Sequence, residues 1–201
     1  MNHLLIVANM GVYAVQVARP EVMGGHMLNA QGLALSQFLT YAFLHIGPGH
    51  LGCNMVVLWM LGRNVNDRLG QTGYLGFYLA GGVFAGVAFI VTGGRSMVGA
   101  SGAIGGVMGA YLALLPDSKI LVWLPRVCLE VRSIYFISIF LLYNVLMSFI
   151  SGSEVQGVAY QAHIAGIVFG FLMMLLLQGV GLLARERDDF LAGFKGKEKK
   201  G

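Results

Sequence analysis

This chain is poor in charge. Asp, Glu, Lys and Arg make up 11% of its 201 residues, against about a quarter in a soluble domain. The few charges are also unevenly placed: ten of the 22 fall in residues 185–201. The first 184 positions therefore cannot clothe a surface in polar groups, and lipid must act as part of the solvent. This scarcity excludes a soluble enzyme, a disordered scaffold and a nucleic-acid binder. The net charge of +4 reads as membrane topology, not as a phosphate-binding face. Cysteine is scarcer still. Cys53 and Cys128 cannot build a disulfide framework, and both are read as small apolar fillers.

What fills the chain instead is a series of apolar runs. The first, about 4–17, is short for a span and is read as a transmembrane helix, because neither a cationic region nor a small-x-small site marks it as a secretory signal. Residues 18–37 form a loop, and 38–46 a short helix packed into it. Pro48 suits a first helical turn, so the second helix runs 48–63. Further helices are expected at 74–91, 101–115, 134–150 and 162–183, with interfacial residues 117–132 between the fourth and fifth. The fold class expected is an all-α membrane protein, a six-transmembrane-helix bundle over 1–184 with a charged cytoplasmic tail at 185–201. Six spans with an inside N-terminus put eleven Lys and Arg inside and only Arg19 and Arg95 outside. That bias places both termini in the cytoplasm of a multi-pass protein.

Polar side chains inside spans are costly, so the few present are informative. His45, His50 and Asn54 lie near the start of the second span, Ser101 opens the fourth, Asn144 lies in the fifth, and His163 opens the sixth. In the six-span topology all but Asn144 meet at the outer end of the bundle. Asn144 lies mid-span and is read as bonding a neighbouring helix. His45 is about 140° around the helix from His50 and is read as structural. The fourth span is only fifteen residues, about 22 Å against a hydrocarbon core of about 30 Å. If Pro116 marks the inner boundary, Ser101 lies on the order of 8 Å below the outer one. A helix that starts inside a bilayer needs partners for its free N–H groups, which predicts a polar cavity with a serine at its floor.

Glycine supplies the approach. Ser101, Gly105 and Gly109 share one helix face, and His163, Gly166 and Gly170 share another. Two such faces pack closely enough for Ser101 to reach His163, the arrangement nucleophilic catalysis needs. His50 and Asn54 are i,i+4 neighbours able to donate to an oxyanion, and the Ser101 backbone N–H is a third donor. Three histidines suggest a metal in principle, but neither H-E-x-x-H nor an inward carboxylate accompanies them. No metal or other cofactor is expected.

These residues resemble the rhomboid family of intramembrane serine proteases over about residues 4–184. The likeness rests on His45-x4-His50-x3-Asn54, on Gly99-Ala100-Ser101-Gly102-Ala103, and on Ala162-His163-x2-Gly166-x3-Gly170, with Leu61-Gly62 and Leu69-Gly70 at the end of the second span and its turn. It implies Ser101 as nucleophile, His163 as general base, and His50, Asn54 and the Ser101 N–H as the oxyanion hole. It also implies membrane-protein substrates cleaved in or near a transmembrane helix, with the protein in the cell membrane. Three departures stand out. Gly105 replaces the aromatic that usually stacks on the histidine, Ser36-Gln37 replaces a Trp-Arg pair in the first loop, and Asn66-Asp67 stands where one acidic residue is usual. The alternative is a weak or inactive rhomboid-like protein that binds membrane clients. A small-solute transporter is disfavoured, since no internal repeat is evident. The sequence is silent on the physiological substrate and the oligomeric state.

Overall fold

The structure, a computed structural model, describes residues 1–124, 126–151 and 158–191. Helix α1 (Asn2–Ala18) leads through α2 (Val22–His26), strand β1 (Leu28–Asn29) and a 3-10 turn (Ala30–Gly32) to α3 (Gln37–Thr40) and a second 3-10 turn (Tyr41–Phe43). Helix α4 (Pro48–Val91), strand β2 (Ser96–Met97) and helix α5 (Ser101–Leu114) follow. A hairpin of β3 (Lys119–Leu124) and β4 (Val127–Arg132) precedes α6 (Ser133–Ser151) and α7 (Tyr160–Gly179). Among the described residues three helices are long and apolar enough to cross a membrane, and α1 and α5 are shorter apolar helices.

Pro48 opens α4 at a position where its missing N–H costs nothing. Forty-four residues would make an unbroken rod of about 66 Å, but Gly70 interrupts it with φ 72° and ψ 171°. The chain turns back there, and Tyr74, four residues on, comes to lie against Gly62 and donates to Asn2 Oδ1 of α1 at 2.7 Å. The arms 48–69 and 71–91 are thus longer than the helices expected at 48–63 and 74–91, and the turn between them is a single residue.

Helix α5 is the axis of the bundle. It is apolar on every side, so no face prefers water, and every residue from Gly102 to Tyr111 is buried. Helix α6 lies at the periphery, where Ile139, Leu142, Leu146 and Phe149 are exposed. In a membrane such a face meets lipid tails.

The expectation of an all-α chain needs correction. β1 pairs with β2 through Leu28–Met97 and Asn29–Ser96, and β3 pairs with β4 from Lys119–Arg132 to Leu124–Val127. The second hairpin occupies the segment expected to be an interfacial loop. Its sequence, K-I-L-V-W-L facing V-C-L-E-V-R, carries the β-branched and aromatic residues that favour strands. Ile120 buries itself against the helical core, and Lys119 pairs with Glu130.

The last helix ends at Gly179, short of the 183 expected. Gly181, at φ 78°, supplies the left-handed residue of a Schellman cap, and the Leu182 N–H bonds back to Leu177 O at 2.9 Å. The chain then folds against the bundle. Asp189 is buried, and Phe190 packs its ring edge-on to Phe171 while its N–H donates to Ala113 O at 2.8 Å. The start of the charged tail drawn at 185–201 is therefore docked as far as Leu191; residues 192–201 of that tail lie outside the described residues.

Candidate active site

Ser101 is the first residue of α5, at the end of a loop that several bonds hold in place. The β1–β2 pairing fixes Met97, and the Gly99 N–H donates to Tyr41 O at 3.0 Å. Gly99 adopts φ 127°, and a Cβ there would stand 2.7 Å from His50 Cε1. Only glycine allows both that backbone and so near an imidazole. The loop on the other side is anchored by Gln37, whose side chain is buried, accepts from Asn29 N at 3.2 Å and donates to Gly32 O at 3.2 Å. The residue that replaces an arginine of the family pattern thus still ties this loop together.

Helices α5 and α7 meet backbone to backbone. A Cβ on Gly109 would overlap Ile167 O, one on Gly166 would overlap Gly102 O, and one on Gly170 would overlap Gly106 O. This contact brings Ser101 Oγ within 2.8 Å of His163 Nε2. It is the reach that a nucleophile and its base require. Gly105 belongs to the same contact, since its Cβ would sit 3.1 Å from His163 O and 3.3 Å from Ile167 N. No ring fits there. Phe140 of α6 flanks the imidazole instead, with centroids 6.0 Å apart and planes 31° apart.

Asn144, read from the sequence as a bond to a neighbouring helix, makes that bond to His163 itself. Its Oδ1 lies 2.8 Å from His163 Nδ1. Its importance to the site was hidden because a lone mid-span asparagine ordinarily signals helix association alone.

The pair stands at one wall of a cavity of about 380 Å³, lined also by His50, Asn54, Cys53, Met108, Phe136 and Phe140. His50 and Asn54 come from the first turns of α4 and line the same cavity. The Asn54 amide donates to His50 O at 2.8 Å, within its own helix, and leaves a second N–H for other partners. The Ser101 N–H lies in the first turn of α5, where no intrahelical acceptor exists. His45 stands apart from this set: its backbone N–H and C=O are both bonded by Gln16 of α1, and its ring meets that of His50 edge-on at 5.2 Å. Cys53 and Cys128 are free and exposed, not buried fillers. A larger cavity, about 490 Å³, is lined by His3, Trp59, Arg63 and Lys119 and holds no comparable pair. Among the described residues no three His, Cys, Asp or Glu side chains gather as a metal site would require.

A family model described as the rhomboid domain matches residues 33–179. The chain belongs to the rhomboid family. It is 31% identical over 135 residues to "Rhomboid protease GluP" of Bacillus subtilis, covering 67% of this chain and 24% of that protein. It is 26% identical over 147 residues to "Rhomboid protease GlpG" of Yersinia pestis, covering 72% of this chain and 49% of that one. Against "Rhomboid protein 1, mitochondrial" of Saccharomyces cerevisiae it is 37% identical over 90 residues, 41% of this chain and 26% of that protein. The chain spans a quarter to a half of the length of these curated relatives. The rhomboid match begins at residue 33, so α1 lies before it, and it ends where α7 ends.

Proposed function

We propose that this rhomboid is an intramembrane serine endopeptidase working through Ser101 and His163. The observation that carries the reading is the 2.8 Å approach of Ser101 Oγ to His163 Nε2 at the wall of a cavity between apolar helices. His163 takes the hydroxyl proton as Oγ bonds to the scissile carbonyl carbon. The negative charge then formed on the carbonyl oxygen is met by His50, Asn54 and the Ser101 N–H. His163 returns the proton to the departing amine as the C–N bond breaks. Water, deprotonated by the same imidazole, attacks the acyl carbon, and as the bond to Oγ breaks His163 returns that proton to Ser101.

Substrates are membrane proteins cut in or beside a transmembrane helix. The apolar lining of Val57, Ile104, Met108, Phe136 and Phe140 supports a segment that arrives from lipid. The break at Gly70 supports six crossings: two arms of α4, about 33 Å and 31 Å long, each match a hydrocarbon core of about 30 Å. With α1, α5, α6 and α7 they make six, and the distribution of cations supports both termini lying in the cytoplasm of a cell-membrane protein.

The test is labelling of the detergent-solubilised protein by a fluorophosphonate probe, with Ser101→Ala as control. Labelling of the wild type and none of the variant supports the reading. An unlabelled wild-type protein that also fails to cleave transmembrane peptides would leave a client-binding rhomboid-like protein as the better account.

A further inference from the structure

Asn144 lies midway along α6 and is 1% exposed. Its Nδ2 donates to the carbonyl of Phe140, one turn back, at 2.8 Å. A carbonyl only accepts, so this bond settles which end of the amide points which way. Oδ1 is thereby turned toward α7, where it meets Nδ1 of His163 at 2.8 Å. An amide oxygen has no proton to give, so Nδ1 must carry one. A neutral imidazole then has its lone pair on Nε2, the nitrogen facing Ser101 Oγ. Three helices contribute to one directed chain, from the serine hydroxyl through the ring and the amide to the backbone of α6.

We infer that Asn144 is a positioning residue that selects the His163 tautomer able to take a proton from Ser101. The inference rests on the reading of Ser101 and His163 as nucleophile and base. It also explains how the ring is held where α5 offers no aromatic flank: α6 supplies both restraints, the Asn144 oxygen on the edge and Phe140 beside the face. A neutral amide does this without the cost of a buried carboxylate. Among the described residues no Asp or Glu lines the cavity, and its titratable side chains besides His163 are His50 and Cys53. Selecting a tautomer and holding the ring raise the fraction of time spent in a productive arrangement. The effect therefore falls on turnover and not on substrate affinity.

The experiment compares wild type, Asn144→Ala and Asn144→Asp in one detergent. Asn144→Ala lowers kcat, and the rate of fluorophosphonate labelling at Ser101, on the order of 10–100-fold, with KM nearly unchanged. Asn144→Asp, kept protonated by so buried a site, retains both bonds, its O–H donating to Phe140 O and its C=O accepting from Nδ1, and recovers most of the loss. In protein carrying 15N-histidine, the ring shifts of His163, assigned by the His163→Ala variant, report the proton on Nδ1 in wild type and its departure in Asn144→Ala. Wild-type kcat and labelling in Asn144→Ala overturn the inference. So does an equal loss in the Ala and Asp variants, which marks Asn144 as a packing residue whatever happens to the thermal midpoint. A wild-type protein that neither labels nor cleaves sinks the protease reading, and the nitrogen shifts still decide whether Asn144 sets the tautomer.

Discussion

Arg68 and Asp189, 121 positions apart, form a two-pronged ion pair at the end of the bundle remote from Ser101. Nη1 donates to Oδ1 at 2.9 Å and Nη2 to Oδ2 at 3.1 Å. Gln178 and the Glu186 N–H also donate to Oδ2, at 2.7 and 2.6 Å, so the buried carboxylate is well supplied with donors. The turn of α4 at Gly70 and the chain leaving α7 are thereby joined.

Removing Asp189 leaves the Arg68 guanidinium, whose side chain is only 12% exposed, with Glu186 at 3.3 Å and Ala184 O at 2.8 Å as its remaining partners. The loss is therefore smaller than the about 3–5 kcal/mol of a buried charge left wholly unpaired. Asp189→Ala is expected to lower the thermal midpoint in detergent. Truncation after Arg187 lowers it further by also removing Phe190, whereas truncation after Leu191 keeps both residues and serves as the control. Equal midpoints for the two truncations would show that the docked segment adds nothing.

Ser101→Ala and His163→Ala are each expected to reduce proteolysis to background while the protein stays folded. The two act as a unit, so the double variant is no worse than either single one. Cleavage retained by Ser101→Ala refutes the assignment of the nucleophile.

Losses at the oxyanion donors are expected to be partial. Removing one such donor costs on the order of 10²–10³ in turnover in a soluble serine protease. In the proposed mechanism three donors share the charge, and the Asn54 amide already spends one N–H on His50 O. Asn54→Ala therefore keeps measurable activity, and His50→Ala loses more, because His50 has no such bond within its helix. Full activity in His50→Ala removes that residue from the site.

What was legible in the sequence follows from the solvent. Lipid makes every polar side chain costly, so Ser101 and His163 stood out by their rarity, and glycines at fourfold spacing announced the α5–α7 contact. Three features were not legible, each for its own physical reason. The 119–132 hairpin carries charges of both signs, which read as a wet loop until strand pairing is seen to place Lys119 near Glu130. Asp189 sits among other charges, and nothing local distinguishes a solvated carboxylate from one whose partner lies 121 residues away. Asn144 required the rotation of α6, which peripheral helices with weak amphipathic pattern do not declare.

Gly105 offers the sharpest test of the helix contact. The rhomboid resemblance implies an aromatic at this position stacking on His163, so a ring placed here would be expected to steady His163 and raise turnover. The packing argues against it. A Cβ at Gly105 already stands 3.1 Å from His163 O and 3.3 Å from Ile167 N, both backbone atoms that move only with the helix. Gly105→Tyr and Gly105→Phe are therefore expected to lower activity and thermal midpoint together, because a ring forces α5 and α7 apart and draws Ser101 away from His163. Alanine substitutions grade the same effect. At Gly106 the nearest atom to a new Cβ is 3.7 Å away, so Gly106→Ala is neutral or gains up to about 1 kcal/mol from helix propensity. Gly105→Ala is intermediate. Gly109→Ala and Gly170→Ala overlap carbonyl oxygens and are the most damaging. The thermal midpoints should fall in the order Gly106, Gly105, then Gly109 and Gly170. A Gly105→Tyr variant that is faster than wild type at an unchanged midpoint would show instead that the two helices part readily, and that His163 lacks the support Phe140 and Asn144 are held to give.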